Sequence, residues 1–281
     1  SFRAAVAAAD PLAILGAHLP PPPRGRTYVA AAGKAAASMA AALEAAWPAA
    51  APLEGLAITR YGHGLPTRRI RVVEAGHPVP DAAGESAARE ILESVRALGK
   101  DDLLLALISG GGSSLLSLPA PGMAMAELKA LTSQLLRSGA AIQDMNTVRK
   151  HLSAIHGGRL AAASRAPVLA LIISDVTGDD PTHIASGPCS PDPTTCEDAR
   201  AILERFGIGF QGDFSETPKP GDPIFRHVEN RVIATAHRSL EAAAAVFRAE
   251  GIQPVILGDT ITGEASEVGK VIAALAREIR T

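Results

Sequence analysis

The stretch LLLALISGGGSS, residues 103–114, sets the fold. Six apolar residues run without a polar interruption, and a serine, three glycines and two more serines follow. An apolar run of this length bounded by glycine reads as a strand over Leu103–Ser109, buried on both faces. Such strands belong to parallel sheets with helices on either side. Outward from it, similar runs occur at Thr27–Ala32 and 168–174, and shorter ones at 56–59, 70–74, 231–235 and 254–257. Helical patterns alternate with them. Residues 2–9 and a second helix opened by Asp10-Pro11 come before the first strand. Residues 33–47 are alanine-rich and stopped by Pro48. Further helices are expected at 84–98, 126–138, 146–163 (with a weak point at Gly157-Gly158), 195–206 and 239–249, and from Glu264 to the end. Strands alternating with helices predict βαβ units and a parallel α/β sheet. Residues 207–223, rich in Gly, Pro and Asp, read as a loop and linker. They divide the chain into a larger α/β domain with the glycine loop, 1–222, and a βαβ segment, 223–281, leading into a second, smaller α/β domain.

Composition narrows the function. The 281 residues carry 27 basic and 29 acidic side chains, a net charge of −2, which gives no broad footprint for nucleic acid. Aromatics are 3% of the chain, poor material for stacking bases. The longest apolar runs are far too short to span a bilayer, and the N-terminal stretch, with Pro20 to Pro23, lacks the apolar centre of a signal peptide. Cys189 and Cys196 form neither a disulfide framework nor a metal spacing, so a reduced, cytoplasmic setting is expected. The chain begins without Met and stops inside a helical pattern, which reads as a piece of something longer.

In open parallel sheets ligands bind beyond the carboxyl ends of the strands. After Thr27–Ala32 comes Gly33-Lys34, a cation at a strand-to-helix corner that suits a phosphate or carboxylate. After Leu103–Ser109 come Gly110, Gly111 and Gly112, whose backbone can approach a ligand closely, with the hydroxyls of Ser109, Ser113 and Ser114 as further donors. The run matches none of the Walker, dinucleotide-binding or nucleophile-elbow patterns, so it predicts an anion site and no more. After 168–174 comes Asp175, with Asp179 four residues on. Carboxylates facing an anion site imply Mg2+ or proton transfer. Asn146, Arg149 and Lys150 are spaced to share one helix face and could clamp an anion. His63, His77, His183 and His237 follow strands, but lone histidines without metal spacing read as structural.

Five segments in series carry a family likeness: AGKAA at 32–36, SGGGSSL at 109–115, NTVRKHLS at 146–153, SDVTGDD at 174–180 with IASGP at 184–188, and VENRVIATAHRS at 228–239. Together they resemble the class II glycerate kinases (glycerate 2-kinases), some of which carry the older label hydroxypyruvate reductase. The resemblance implies a Rossmann- or flavodoxin-like larger domain, a smaller α/β domain and an active site in the cleft between them. It implies ATP-dependent phosphorylation of D-glycerate to 2-phosphoglycerate with Mg2+, and Lys34 matches a lysine important in that family. The family's later GRGGRN-like segment, with its functional arginine, has no counterpart in these 281 residues.

The expected mechanism follows. Ser109 to Ser114 cradle an ATP phosphate or the glycerate carboxylate. Lys34 stabilises the transferring phosphoryl group. Asp175, with Asp179, holds Mg2+, or Asp175 takes the hydroxyl proton. Asn146, Arg149 and Lys150 anchor the substrate anion. Two alternatives stay open: an NAD(P)-dependent hydroxypyruvate reductase and a non-catalytic phosphometabolite-binding domain. The expected partners are small-molecule D-glycerate and a second copy in a homodimer, with no nucleic acid and no membrane.

Overall fold

A computed structural model of the chain describes residues 1–279. Six strands form one parallel sheet: β1 (Thr27–Ala32), β2 (Leu53–Arg60), β3 (Ile70–Ala75), β4 (Leu103–Ser109), β5 (Val168–Ile173) and β6 (Val228–Ala234). Their order is β3-β2-β1-β4-β5-β6. The helices are α1 (Phe2–Ala7), α2 (Pro11–Ile14), α3 (Ala36–Ala46), α4 (Ala82–Arg96), α5 (Gly112–Leu115), α6 (Met125–Arg137), α7 (Ile142–His151), α8 (Arg159–Ala162), α9 (Cys196–Arg205), α10 (Ala236–Ala249) and α11 (Ala265–Ile279). Among the described residues no helix is long and apolar enough to cross a membrane.

Every residue of β1 and β4 is buried, as uninterrupted apolar runs require. The two-residue period of a strand sorts their side chains between two cores. Leu104, Ala106 and Ile108 of β4 pack with Ile91, Leu92 and Val95 of α4. Leu105 and Leu107 pack on the other face with Met39, Leu43 and Trp47 at and after α3. Each fully buried Leu or Ile contributes about 1.5–3 kcal/mol. A third cluster joins Leu128 and Leu131 of α6, Met145 and Val148 of α7, and Ile202 and Leu203 of α9. Local chemistry starts the helices where they start. Asp81 caps α4 by accepting from the Gly84 N–H at 3.0 Å. At α9, Thr195 Oγ1 accepts from the Asp198 N–H at 3.1 Å, and the Asp198 carboxylate accepts from the Thr195 N–H at 2.8 Å.

β6, the strand that opens the expected 223–281 segment, pairs with β5 in the same sheet. Two expectations change. Residues 254–257 form no strand: no neighbouring strand pairs with them, and Val255 and Leu257 stay exposed. The single helix expected over 146–163 is two. α7 ends at His151, and α8 begins only after Gly157 and Gly158, whose φ values of 59° and 82° are left-handed.

The strand order reverses between β1 and β4, the switch point at which open parallel sheets gather a ligand-binding crevice.

Candidate active site

Four loops and a helix meet beyond the carboxyl ends of the strands. Lys34 follows β1, His77 follows β3, Gly110 to Gly112 follow β4, Asp175 follows β5, and α7 closes one side. They border a cleft of about 630 Å³ lined by His77, Gly111, Asn146, Arg149, Asp175 and His183 among others.

Lys34 and Asp175 form an ion pair, Nζ to Oδ2 at 3.2 Å, with side chains 45% and 44% exposed. A pair this open to water contributes about 0–1 kcal/mol to stability. The fold therefore needs neither charge: Asp175 lines the cleft, and Lys34 stands exposed beside it.

The three glycines have a more specific reason than general looseness. A Cβ on Gly110 would overlap the Asp175 carboxylate. One on Gly111, at φ 87°, would lie 2.9 Å from the His77 ring and 3.3 Å from Lys34 Cγ. One on Gly112 would lie 2.5 Å from Ala185 Cβ. The loop lacks side chains so that Asp175, His77 and the 184–187 turn can press against its backbone. The loop runs directly into the four-residue α5.

The serines mostly build the loop. Ser109 Oγ accepts from the Ala35 N–H at 3.1 Å, and Ser114 Oγ donates to the Gly111 carbonyl at 3.1 Å. Ser113 Oγ is 2.8 Å from Ser186 Oγ, which in turn donates to Asn146 Oδ1 at 3.2 Å. Ala185 and Ser186 take left-handed φ values of 52° and 59° ahead of Gly187 at 57°. Non-glycine residues there cost about 1–3 kcal/mol each, strain that persists where a site holds it in place. Asn146, expected on an anion clamp, does line the cleft, and it also anchors this strained turn.

Arg149 lies at the cleft wall and donates from its guanidinium to the Ser113 carbonyl at 2.7 Å. Burial lowers its pKa to about 10, so it stays cationic at neutral pH. Among the described residues no carboxylate lies within ion-pair distance of it. A partly buried cation with no carboxylate partner suits an anionic ligand.

Lys150 is a correction. Lys150, expected beside Arg149, turns inward: its side chain is 1% exposed and its Nζ meets Asp192 Oδ1 at 3.2 Å. One residue along a helix rotates the side chain by about 100°, enough to leave the cleft. Asp179 is not among the residues lining the cleft, and it holds a left-handed turn at φ 53°. His77 and His183, read from sequence as structural, do line the cleft. Burial first, then Lys34 and Arg60, lower the His77 pKa, so its imidazole is neutral at neutral pH. Its signal was position, directly after a strand at the end where Lys34 and Asp175 also lie. Thr260 and Thr262, from the irregular segment before α11, also reach the cleft.

His156 sits behind this wall, buried among cations. Burial, then Arg149, Arg159 and Lys150, lower its pKa to about 3 from 6.5. The folded protein thus keeps it neutral while the unfolded chain takes up a proton below 6.5. This contribution to stability is whole above pH 6.5 and is lost as the pH falls toward 3. The urea midpoint is expected to decline across that window, and His156→Gln to flatten the decline. An unchanged slope in the variant would remove His156 as its source.

Residues 1–214 match the family described as domain of unknown function DUF4147. The crystal structure of a glycerate kinase from Thermotoga maritima superposes with a TM-score of 0.86 at 35% identity, covering 99% of this chain and 68% of that one. The chain belongs to this glycerate kinase family. Its relatives include a glycerate 2-kinase of Pyrococcus horikoshii, 41% identical over 270 residues, covering 91% of this chain and 60% of that protein. Another is an Agrobacterium vitis protein provisionally named hydroxypyruvate reductase, 52% identical over 289 residues, covering 99% of this chain and 65% of that protein. The chain therefore spans 60–68% of the length of these family members. The family assignment agrees with the order of the sheet and with the resemblance carried by the five segments.

Proposed function

We propose that this chain carries the phosphoryl-transfer site of a D-glycerate kinase, using ATP and Mg2+ and giving 2-phosphoglycerate. Arg149 carries the reading. A partly buried cation with no carboxylate partner, on the wall of the cleft that Asp175 lines with Lys34 paired to it, suits a small anion, and the glycerate carboxylate is one. The names of the relatives from P. horikoshii and T. maritima supply the substrate.

Phosphoryl transfer needs positioning and charge neutralisation more than covalent chemistry by the protein. Arg149 anchors the carboxylate. Lys34 stabilises charge on the transferring group. Asp175 fits a Mg2+ ion, because a single half-exposed carboxylate completed by water and phosphate oxygens is how Mg2+ is commonly held. When bound, the ion would neutralise phosphate charge. The neutral His77 imidazole, against Gly111 and close to Lys34, is placed to take the hydroxyl proton as an alternative to Asp175.

The names of the Agrobacterium proteins favour a second reading, a hydroxypyruvate reductase. Against it, the space beside Gly33, where a dinucleotide pyrophosphate would approach the first turn, is filled by Ser109. A coupled ADP-release assay with D-glycerate, ATP and Mg2+ tests the kinase reading, with phosphorus NMR to separate 2- from 3-phosphoglycerate. NADH consumption with hydroxypyruvate and no ADP release would establish the reductase. Ligand binding with neither turnover would leave a binding domain.

A further inference from the structure

Outside the cleft, three residues from three separate elements converge: His151 at the end of α7, Cys196 at the start of α9, and Glu216 in the loop between α9 and β6. Each brings one potential ligand atom, and these atoms lie within 4.8 Å of one another. His151 is fully buried. Its Nδ1 is 2.8 Å from the Thr147 carbonyl, a bond it makes as donor, which leaves Nε2 as the lone-pair nitrogen. That Nε2 is buried, has no hydrogen-bond partner and lies 3.8 Å from Glu216 Oε2. An imidazole tautomer fixed by a backbone carbonyl, with its other nitrogen aimed at a thiol and a carboxylate, is the arrangement of a metal-ligating histidine.

We propose that His151, Cys196 and Glu216 form a binding site for a thiophilic divalent cation of the zinc type, which pins the 211–222 loop to the end of α7. One nitrogen, one sulfur and one oxygen ligand match the preferences of Zn2+, with water in the fourth position. Glu216 is 53% exposed, so a path from solvent exists. The ligands are held in advance. Glu216 Oε1 accepts from the Cys196 N–H at 2.7 Å, the Ser215 N–H donates to the His151 carbonyl at 3.0 Å, and Arg159 donates to the Ser215 carbonyl at 2.7 Å.

The protonation states suit the site. Burial first, and the Thr147 bond against it, leave the His151 pKa lowered, so the ring is neutral and able to ligate. Burial pushes the Glu216 carboxyl up, but the bonds from Lys219 and Cys196 outweigh it and bring the pKa down to about 2. Burial and Glu216 raise the Cys196 thiol, so cation binding breaks its S–H bond, forms the metal–sulfur bond and releases one proton to solvent. Other charges act on the cluster: Lys219, at 2.7 Å from Glu216 Oε2, opposes a cation, and Asp192 favours one. None of the three ligands lines the cleft at the strand ends, so the site is separate from Asp175 and its Mg2+.

Titration of the chelator-treated, reduced protein with Co2+, in excess Mg2+, tests the proposal. The expected result is a thiolate-to-cobalt charge-transfer band that saturates at one equivalent and is displaced by Zn2+. Cys196→Ser should abolish the band with an unchanged circular dichroism spectrum, and Cys189→Ser should keep it. His151→Gln should weaken Co2+ binding at least tenfold, which keeps the test open should Cys196→Ser fail to fold. No band in the folded wild-type protein, or a band that survives Cys196→Ser, overturns the proposal. Cobalt on Asp175 alone gives no thiolate band and counts against it.

Discussion

Lys150→Met is expected to destabilise the fold by about 3–5 kcal/mol, the cost of leaving one member of a buried ion pair without the other. The Lys150 and Asp192 side chains are 1% and 0% exposed. Asp192 Oδ1 accepts from Lys150 Nζ at 3.2 Å, from the Thr194 N–H at 3.1 Å and from Thr194 Oγ1 at 2.8 Å. Burial pushes this carboxyl up, but Lys150 and Thr194 outweigh it and hold it below its ordinary value, so it is ionised at neutral pH. The variant removes the main source of that compensation and should lower Tm by an amount on the order of 10 °C. Lys150→Met combined with Asp192→Asn should recover most of the loss, because no uncompensated charge is left buried while Thr194 keeps its acceptor. The alternative is the anion clamp drawn from helical spacing. In that case Tm would hardly move, and the KM for the anionic substrate would rise instead.

Lys150 also shows where reading the sequence stops. Helical spacing put Asn146, Arg149 and Lys150 on one face, and two of the three do border the cleft. Which of two adjacent cations turns inward depends on Asp192, 42 residues away, and no local pattern records that partner. β1 and β4 were legible to the residue because burial on both faces leaves an unbroken apolar run. Residues 254–257 have the same composition but no neighbour to pair with, and an apolar run without a partner strand is not a strand. The glycine loop was legible as a close approach, but its occupants, Asp175, His77 and Ala185, come from three other loops. His77 was passed over for lack of metal spacing, when its place after β3 was the informative feature. The absence of any His/Cys spacing likewise hid His151, Cys196 and Glu216, which meet through the packing of α7 against α9 and the return of the 211–222 loop onto both.

Lys34→Ala is expected to lower turnover by about 10²–10³-fold, the usual loss when one preorganised charge at a developing anion is removed. The fold should survive. The ion pair with Asp175 is nearly half exposed on both sides and contributes about 0–1 kcal/mol. The Lys34 backbone N–H bond to the Gly110 carbonyl, 2.8 Å, is untouched by the substitution, so the spacing between the β1 and β4 loops should hold. If Lys34 acts on the transferring group and Arg149 anchors the carboxylate as proposed, kcat falls and KM for D-glycerate stays near its starting value. Arg149→Met should show the converse, a raised KM with a smaller change in kcat. Lys34→Arg should rescue only in part. A planar guanidinium is not a compact ammonium, so it would meet the Asp175 carboxylate and a phosphoryl group in a different geometry. Near-normal turnover of Lys34→Ala would confine Lys34 to orienting Asp175. The charge facing the phosphoryl group would then have to come from Arg149 or from the Mg2+ proposed at Asp175, and Asp175→Asn would become the more damaging of the two substitutions.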